Sequence, residues 1–157
     1  MYKRQVGGWE ISSLFQIHSG LPFTPSMNST GGSGALAGSW RPNRIGKGTV
    51  AHPTISEWFD PTAFVAPDPN TFGNSGRNIL YGPGYKNVNA ALLKNFSIEM
   101  RGEQVRLQVK AEASNVFNHP NFGLPDSGIG DSAVGTITSA NGGLPGRTMQ
   151  LGAKISF

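Results

Sequence analysis

Residues 104–115, QVRLQVKAEASN, alternate between apolar and polar side chains along almost their whole length. Because successive side chains of a β-strand point to opposite faces, this period of two puts the apolar side chains on one face. A helix would distribute both kinds around its axis. The segment therefore predicts a strand with one apolar face, formed by Val105, Leu107, Val109, Ala111 and Ala113, and one polar face, formed by Arg106, Gln108, Lys110, Glu112 and Ser114.

Three further segments show the same alternation, near residues 8–18, 87–100 and 148–157. Leu14 interrupts the polar side of the first segment, and Lys94 interrupts the apolar side of the second. At roughly 10–13 residues, the segments exceed the ~5–6 residues common in soluble sheets and suit the ~9–11 residues of a tilted membrane-spanning strand. The sequence therefore predicts an all-β fold with about four antiparallel strands of an outer-membrane β-barrel.

The connections between these segments differ greatly in length. Arg101-Gly102-Glu103 is short enough for a tight hairpin, whereas the Gly- and Pro-rich loops at 21–86 and 118–146 are long. Outer-membrane barrels have short periplasmic turns and long extracellular loops. If Phe157 lies at the periplasm, every connection falls on the side that this rule requires. The first loop is expected to hold one short helical turn at 56–59.

The composition excludes several classes of function. Charged residues make up 14% of the 157 residues, and Gly and Pro contribute 22 and 11, so turns and loops occupy much of the chain. The absence of Cys excludes a disulfide scaffold, a Cys-based zinc site and a thiol nucleophile. The net charge of +4 comes from Lys and Arg scattered along the chain, without the cluster that nucleic-acid binding needs.

The sequence contains no recognisable catalytic or metal-binding pattern. His18, His52 and His119 lie far apart, without the spacing of metal ligands. No nucleophile-elbow motif surrounds a Ser, and Gly31-Gly32-Ser33-Gly34 lacks the Lys-Ser/Thr that completes a phosphate loop. We therefore expect the protein not to be an enzyme, and we expect no cofactor and no bound metal.

Four strands cannot close a barrel, since the smallest single-chain barrels have about eight. Open sheet edges are not tolerated in hydrocarbon, because unpaired backbone groups there cost several kcal/mol each. Residues 1–157 as a whole are therefore expected to be the C-terminal segment of a larger barrel. Two alternatives remain: several copies that combine into one barrel, or a soluble or secreted all-β module that binds through its long loops.

Four stretches carry a resemblance to a known family. They are Gly20-Leu21-Pro22-Phe23-Thr24, Trp58-Phe59-Asp60-Pro61-Thr62-Ala63-Phe64, Asn115-Val116-Phe117-Asn118-His119-Pro120-Asn121-Phe122-Gly123 and the terminal strand. In their order and spacing, they resemble the C-terminal barrel end of TonB-dependent receptors. The most similar subgroup carries an N-terminal carboxypeptidase-regulatory-like domain. The resemblance covers nearly the whole chain.

The terminal strand also resembles the assembly signal of outer-membrane barrels. Gln150, Gly152, Ile155 and Phe157 match the polar, Gly, hydrophobic and final hydrophobic positions of that signal in order. Ile155 is aliphatic where an aromatic residue is common. The match implies that the barrel-assembly machinery of the outer membrane is a partner of this chain.

The resemblance implies a plugged barrel of about 22 strands in the bacterial outer membrane. Outer-membrane lipid, TonB and an imported ligand of unknown identity would be its partners, with TonB contacting a plug region upstream. Arg106, Lys110 and Glu112 are candidate lumen-facing residues, since the face opposite them is uniformly apolar. Trp40 and Trp58 are candidate ligand contacts in the first loop, or else they hold that loop by packing.

Overall fold

The computed structural model describes residues 7–27, 40–69, 71–100, 102–140 and 146–157. The chain divides into two compact units. The first, here called the strand unit, consists of Met1–His18, Lys86–Pro120 and Pro145–Phe157. The second, here called the loop module, consists of Ser19–Tyr85 and Asn121–Leu144.

Regular structure in the described residues is almost entirely β. One 3-10 turn is present at Pro61–Ala63, and no helix of the described part is long and apolar enough to cross a membrane. The strands, in chain order, are β1 Trp9–His18, β2 Pro22–Phe23, β3 Ser26–Met27, β4 Asn43–Arg44, β5 Phe64–Val65, β6 Leu80–Tyr81, β7 Tyr85–Met100, β8 Glu103–Ser114, β9 Gly128–Ile129 and β10 Thr148–Ser156.

The four long strands form one sheet in the order β1-β7-β8-β10, and β8 pairs antiparallel with both of its neighbours. These are the four strands that the alternation predicts, with bounds that agree to within two residues. The agreement has a simple physical reason. A period of two over ten or more residues fits only an extended chain with different surroundings on its two faces.

A tight hairpin joins β7 to β8. Met100 pairs with Glu103, and between them Gly102 has a φ of 87°, a left-handed conformation that Gly adopts without steric cost. Arg101, the other residue of the predicted turn, lies outside the described residues. At the opposite end of the sheet, Ser114 pairs with Thr148 and β7 begins, so the long connections join the sheet there.

The loop module has a hydrophobic core of its own, although its two segments have the composition of irregular loops. Three pairs of two-residue strands tie it together: β2 with β6, β4 with β5, and the parallel pair β3 with β9. At the centre lies Phe59, 2% exposed, whose ring centroid is 5.6 Å from that of Phe23 and 6.1 Å from that of Phe64, both edge to face. Ala63 and Leu80 complete the core.

A capped turn delivers these aromatic residues to the core. Asp60 Oδ1 accepts hydrogen bonds from the Thr62 backbone N at 2.9 Å and the Thr62 hydroxyl at 2.6 Å, and Pro61 occupies the first position of the turn. The prediction of a helical turn at 56–59 is wrong. The Asp cap and the following Pro, which favours the first position of a helix, start the turn five residues later, at Pro61.

Candidate functional site

Cross-strand pairing collects the apolar side chains of the sheet on one face. Residues directly opposite each other in an antiparallel pair share a face, and Leu92 and Leu151 both lie opposite Ala111. Leu151 is 79% exposed. An exposed apolar surface of this extent marks contact with a membrane or with another protein. The large exposed side chains of this face on β7, β8 and β10 are Leu92, Phe96, Ile98, Met100, Val109, Met149, Leu151 and Ile155.

The outer strands of the sheet are more exposed still. Every residue of β1 and β10 is exposed, on both faces, and Ile11 of β1 reaches 77%. Within the described residues, neither strand pairs with a further strand on its outer side. In apolar surroundings such edges leave backbone N–H and C=O groups unpaired, which costs several kcal/mol for each group.

The opposite face of the sheet is polar, and it carries the three charged residues predicted to face a barrel lumen. Lys110 Nζ and Glu112 Oε1 form an ion pair at 2.6 Å, with side chains 42% and 43% exposed. Arg106 lies on the same face, because it is separated from Lys110 by an even number of residues along β8. One cross-strand hydrogen bond, from Gln108 Nε2 to Asn95 Oδ1 at 3.0 Å, adds a neutral pair to this polar row.

This polar face has a shallow depression of about 380 Å³ near the end that carries the long connections. Its described walls combine polar side chains with Ala and Leu14 and contain no aromatic residue. They include Ser12 of β1, Asn89 of β7, Glu112 and Ser114 of β8, and Gln150 of β10. All four strands contribute residues to this hollow.

Lys94 is the exception on the apolar face, where it lies opposite Val109. Its side chain is nonetheless 5% exposed. Lys94 Nζ donates to the Gly7 carbonyl at 2.6 Å and lies 4.7 Å from the ring centroid of Trp9 and 5.5 Å from that of Phe96. Aromatic faces attract a cation, and here they cover it. The sequence shows that Lys94 interrupts the apolar face, but it does not show that Trp9 covers Lys94, because Trp9 lies 85 positions earlier in the chain.

The terminal strand β10 presents the predicted assembly signal at one edge of the sheet. Gln150 and Gly152 lie on the polar face and Ile155 on the apolar face, while Phe157 follows the strand and is 94% exposed. A Cβ built on Gly152 would have no atom within 4 Å. Space around the described residues therefore does not require Gly at this position.

The turn after β8 explains why the stretch 115–123 begins with two Asn in close succession. Asn115 and Asn118 have φ values of 51° and 52°, the left-handed region that Asn tolerates better than most residues. The Asn115 side chain accepts from the His119 backbone N and donates to the His119 carbonyl, each at 2.9 Å. Asn118 Oδ1 accepts from the Arg147 backbone N at 2.9 Å, just before β10. These bonds fix the point where the second long connection leaves and returns.

In the loop module, the structure separates the two candidate ligand-contacting Trp residues. Trp58 packs against the aromatic core, and its indole N–H donates to the Tyr81 carbonyl at 2.9 Å. Trp40 instead stacks on Phe72 with a centroid distance of 5.6 Å and lines a cavity together with Arg41 and other residues. The structure thus gives Trp58 a packing role and leaves Trp40 beside an open space.

Among the described residues, no three His, Cys, Asp or Glu side chains are grouped so that they could hold a metal ion. His119 takes part in the Asn115 turn through its backbone. Asp68 accepts, through its backbone carbonyl, hydrogen bonds from the amide and the hydroxyl of Thr71 in a local turn. These residues have structural explanations that involve no ligand.

A family model described as an outer membrane beta barrel domain matches residues 1–150. The chain belongs to this family. No curated protein and no solved structure matches it. Membership places the protein in the bacterial outer membrane, where lipid surrounds the barrel wall.

The faces of the sheet now have a physical assignment. In an outer-membrane beta barrel, the apolar side of each strand contacts lipid and the polar side lines the interior. The exposed apolar face containing Leu151 is therefore the face that suits lipid. The all-β fold and the outer-membrane location predicted from the sequence are confirmed. Four strands leave the barrel open, and membership in this family disfavours the soluble module.

Proposed function

We propose that this chain forms the C-terminal end of the barrel of a TonB-dependent receptor, which imports an unidentified ligand and performs no enzymatic reaction. The supporting observation is that the family-like stretches occupy defined places in the fold. The stretch 20–24 supplies Phe23 and the stretch 58–64 supplies Phe59 to the core of the loop module, while 115–123 forms the turn after β8.

The proposal also accounts for the two open edges. In such a receptor, earlier strands of the same polypeptide pair with β1, and the first barrel strand pairs with β10. The plug fills the interior and contacts the polar face around Arg106, Lys110 and Glu112. TonB binds the plug region rather than these four strands, and the long connections lie outside, where ligand arrives. The terminal strand delivers the chain to the barrel-assembly machinery.

The first experiment measures the size and location of the native polypeptide. An antibody against the region 118–157 is used to probe outer-membrane and soluble fractions of the source cells. We expect a band far larger than 16.6 kDa in the outer membrane. A detergent-stable oligomer of 16.6 kDa chains would instead indicate a barrel assembled from several copies, and would contradict the receptor.

The second experiment tests the coupling to TonB. Photo-crosslinking residues are placed along TonB in living cells, and crosslinked products are probed with the same antibody. A product containing both proteins supports the proposal. If TonB forms no product while the barrel is present in the membrane at normal amounts, the protein is another kind of outer-membrane barrel.

A further inference from the structure

The cavity beside Trp40 in the loop module has a volume of about 350 Å³, at the lower end of the ~300–1,000 Å³ range of small-molecule sites. Among the residues that the structure describes, its lining consists of Thr24, Pro25, Ser26, Trp40, Arg41 and Arg77. Two of them carry a positive charge and none carries a negative charge. From this wall we infer an anion-binding site, which takes the carboxylate or phosphate group of a ligand about the size of a sugar.

One backbone hydrogen bond and one bond to a side-chain hydroxyl bring three separate chain segments to this cavity. The Met27 amide donates to the Trp40 carbonyl at 2.7 Å, which fixes Trp40 beside β3. The Asn78 amide donates to Thr24 Oγ1 at 2.8 Å, and Asn78 has a φ of 55°, which turns the chain directly after Arg77. The positions of the lining residues are therefore set by the fold before any ligand arrives.

Arg41 is held in place by its surroundings. Its Nη1 donates to the Ser75 carbonyl at 2.8 Å, and the Ser75 amide donates to the Pro42 carbonyl at 3.1 Å. A Cβ on Gly73 would lie 1.9 Å from the Arg41 carbonyl oxygen, so only Gly allows the two segments to approach this closely. One guanidinium edge is thus engaged and the other remains available. A guanidinium held in this way can bind a carboxylate or phosphate with two parallel hydrogen bonds.

The described residues of the cavity wall provide two guanidinium groups and no carboxylate. Arg77 is exposed, and its side chain makes no hydrogen bond or ion pair with any residue that the structure describes. The indole N–H of Trp40 is buried and lacks a hydrogen-bond partner in the same part of the chain. Protein atoms cover this nitrogen, so the two guanidinium groups are the charged donors that a ligand in the cavity can reach. The flat ring of Trp40, stacked on Phe72, offers a surface for a sugar ring.

This site deepens the proposed function, because it names the chemical class of the ligand that the receptor's outer loops would capture. Its test does not depend on uptake. Binding of galacturonate, galactose and inorganic phosphate is measured by titration calorimetry on the complete native polypeptide in detergent micelles. Galacturonate and galactose differ in the carboxylate, so their comparison isolates the charge.

We expect galacturonate or phosphate to bind and galactose to bind at least about tenfold more weakly. Arg77→Gln should weaken anion binding about tenfold, whereas Lys47→Gln, which removes the same charge from a residue outside the cavity wall, should leave it unchanged. Arg41→Gln should abolish anion binding, but it also removes the hydrogen bond to the Ser75 carbonyl and so alters the cavity wall. Arg77→Gln is therefore the variant that tests the site.

Two results would overturn the site: anions that bind no more tightly than galactose, or an Arg77→Gln variant that binds like the wild type. Both are interpreted only after near-ultraviolet circular dichroism shows that the variant is folded. Anion binding without any crosslink to TonB would leave the site standing and remove the receptor function. A TonB crosslink without anion binding would support the receptor function and rule out the anion site.

Discussion

The strand unit exposes many of its large apolar side chains, whereas the loop module buries several of its own. The sheet exposes Leu151 to 79%, whereas the loop module buries Phe59 to 2%. The loop module thus has an interior of its own, while the edge strands of the sheet have none and depend on lipid and on neighbouring strands. Stability in one region therefore depends on packing, and in the other on the surroundings. Each variant below should affect one region and spare the other.

The largest effect is expected from Phe59→Ala, which removes the central ring of the loop-module core. We expect it to lower the free energy of unfolding of the loop module by about 3–5 kcal/mol. Native-state hydrogen exchange in micelles should show lost protection in the loop module and unchanged protection in β7 and β8. Ile45→Ala is the control, since Ile45 lies in the same module and is 69% exposed. Equal losses in the sheet would mean that the two regions do not behave as separate units.

Leu151→Arg should have the second-largest effect. We expect it to lower the free energy of unfolding of the barrel by about 2–4 kcal/mol if the residue lies near the middle of the bilayer, and by less near its surface. The charge would point into lipid from β10. Gln150→Arg adds the same side chain one residue earlier, on the polar face, and should cost little. Urea titration of the complete barrel in lipid vesicles measures both. If Gln150→Arg destabilises the barrel more than Leu151→Arg does, the face that contains Gln150 is the one that contacts lipid.

Gly102→Ala should lower the free energy of unfolding by about 1–2 kcal/mol, because the hairpin needs a residue with left-handed φ at this position. Space is no obstacle, since a Cβ there would meet no atom within 4 Å. Gly152→Ala is the matched control: its Cβ would be equally unhindered, and its φ is not left-handed. If Gly152→Ala leaves stability unchanged but lowers the amount of protein assembled in the outer membrane, the assembly signal gains support.

The smallest effect, about 1 kcal/mol, is expected from Asp60→Ala, which removes the acceptor that caps the turn at Pro61–Ala63. Hydrogen exchange of the Thr62 amide should report it directly. Asp68→Ala is the control, because there the backbone carbonyl accepts the turn bonds. If both variants lose the same protection, the effect comes from charge rather than from the cap.

The strands of the sheet could be predicted almost to the residue, but the loop module could not. The alternation in 104–115 reports directly on an extended chain between two different environments. The aromatic core joins Phe23, Phe59 and Leu80, which lie far apart in segments without any periodic pattern. Their Gly and Pro content correctly predicts many turns and gives no indication of which segments meet.

The candidate sites divide in the same way. Arg106, Lys110 and Glu112 could be assigned to one face from spacing alone, and the register confirms that they share it. Trp40 and Trp58 are equivalent by sequence, since both lie within the first loop. Only the tertiary structure distinguishes them: Trp58 donates to the Tyr81 carbonyl, and Trp40 lines the same cavity as Arg77. Arg41 and Arg77 were missed because scattered basic residues carry no signal until the chain brings them together.

The sequence by itself determined the strands, their two faces, the short hairpin and the outer-membrane barrel class, because each of these depends on neighbouring residues or on a repeat of two. The tertiary structure alone decided the core around Phe59, the cover over Lys94 and the cavity beside Trp40. Those features depend on contacts between residues tens of positions apart. Which of many possible distant pairs forms is settled by the packing of the whole loop module or sheet, and no local pattern encodes it.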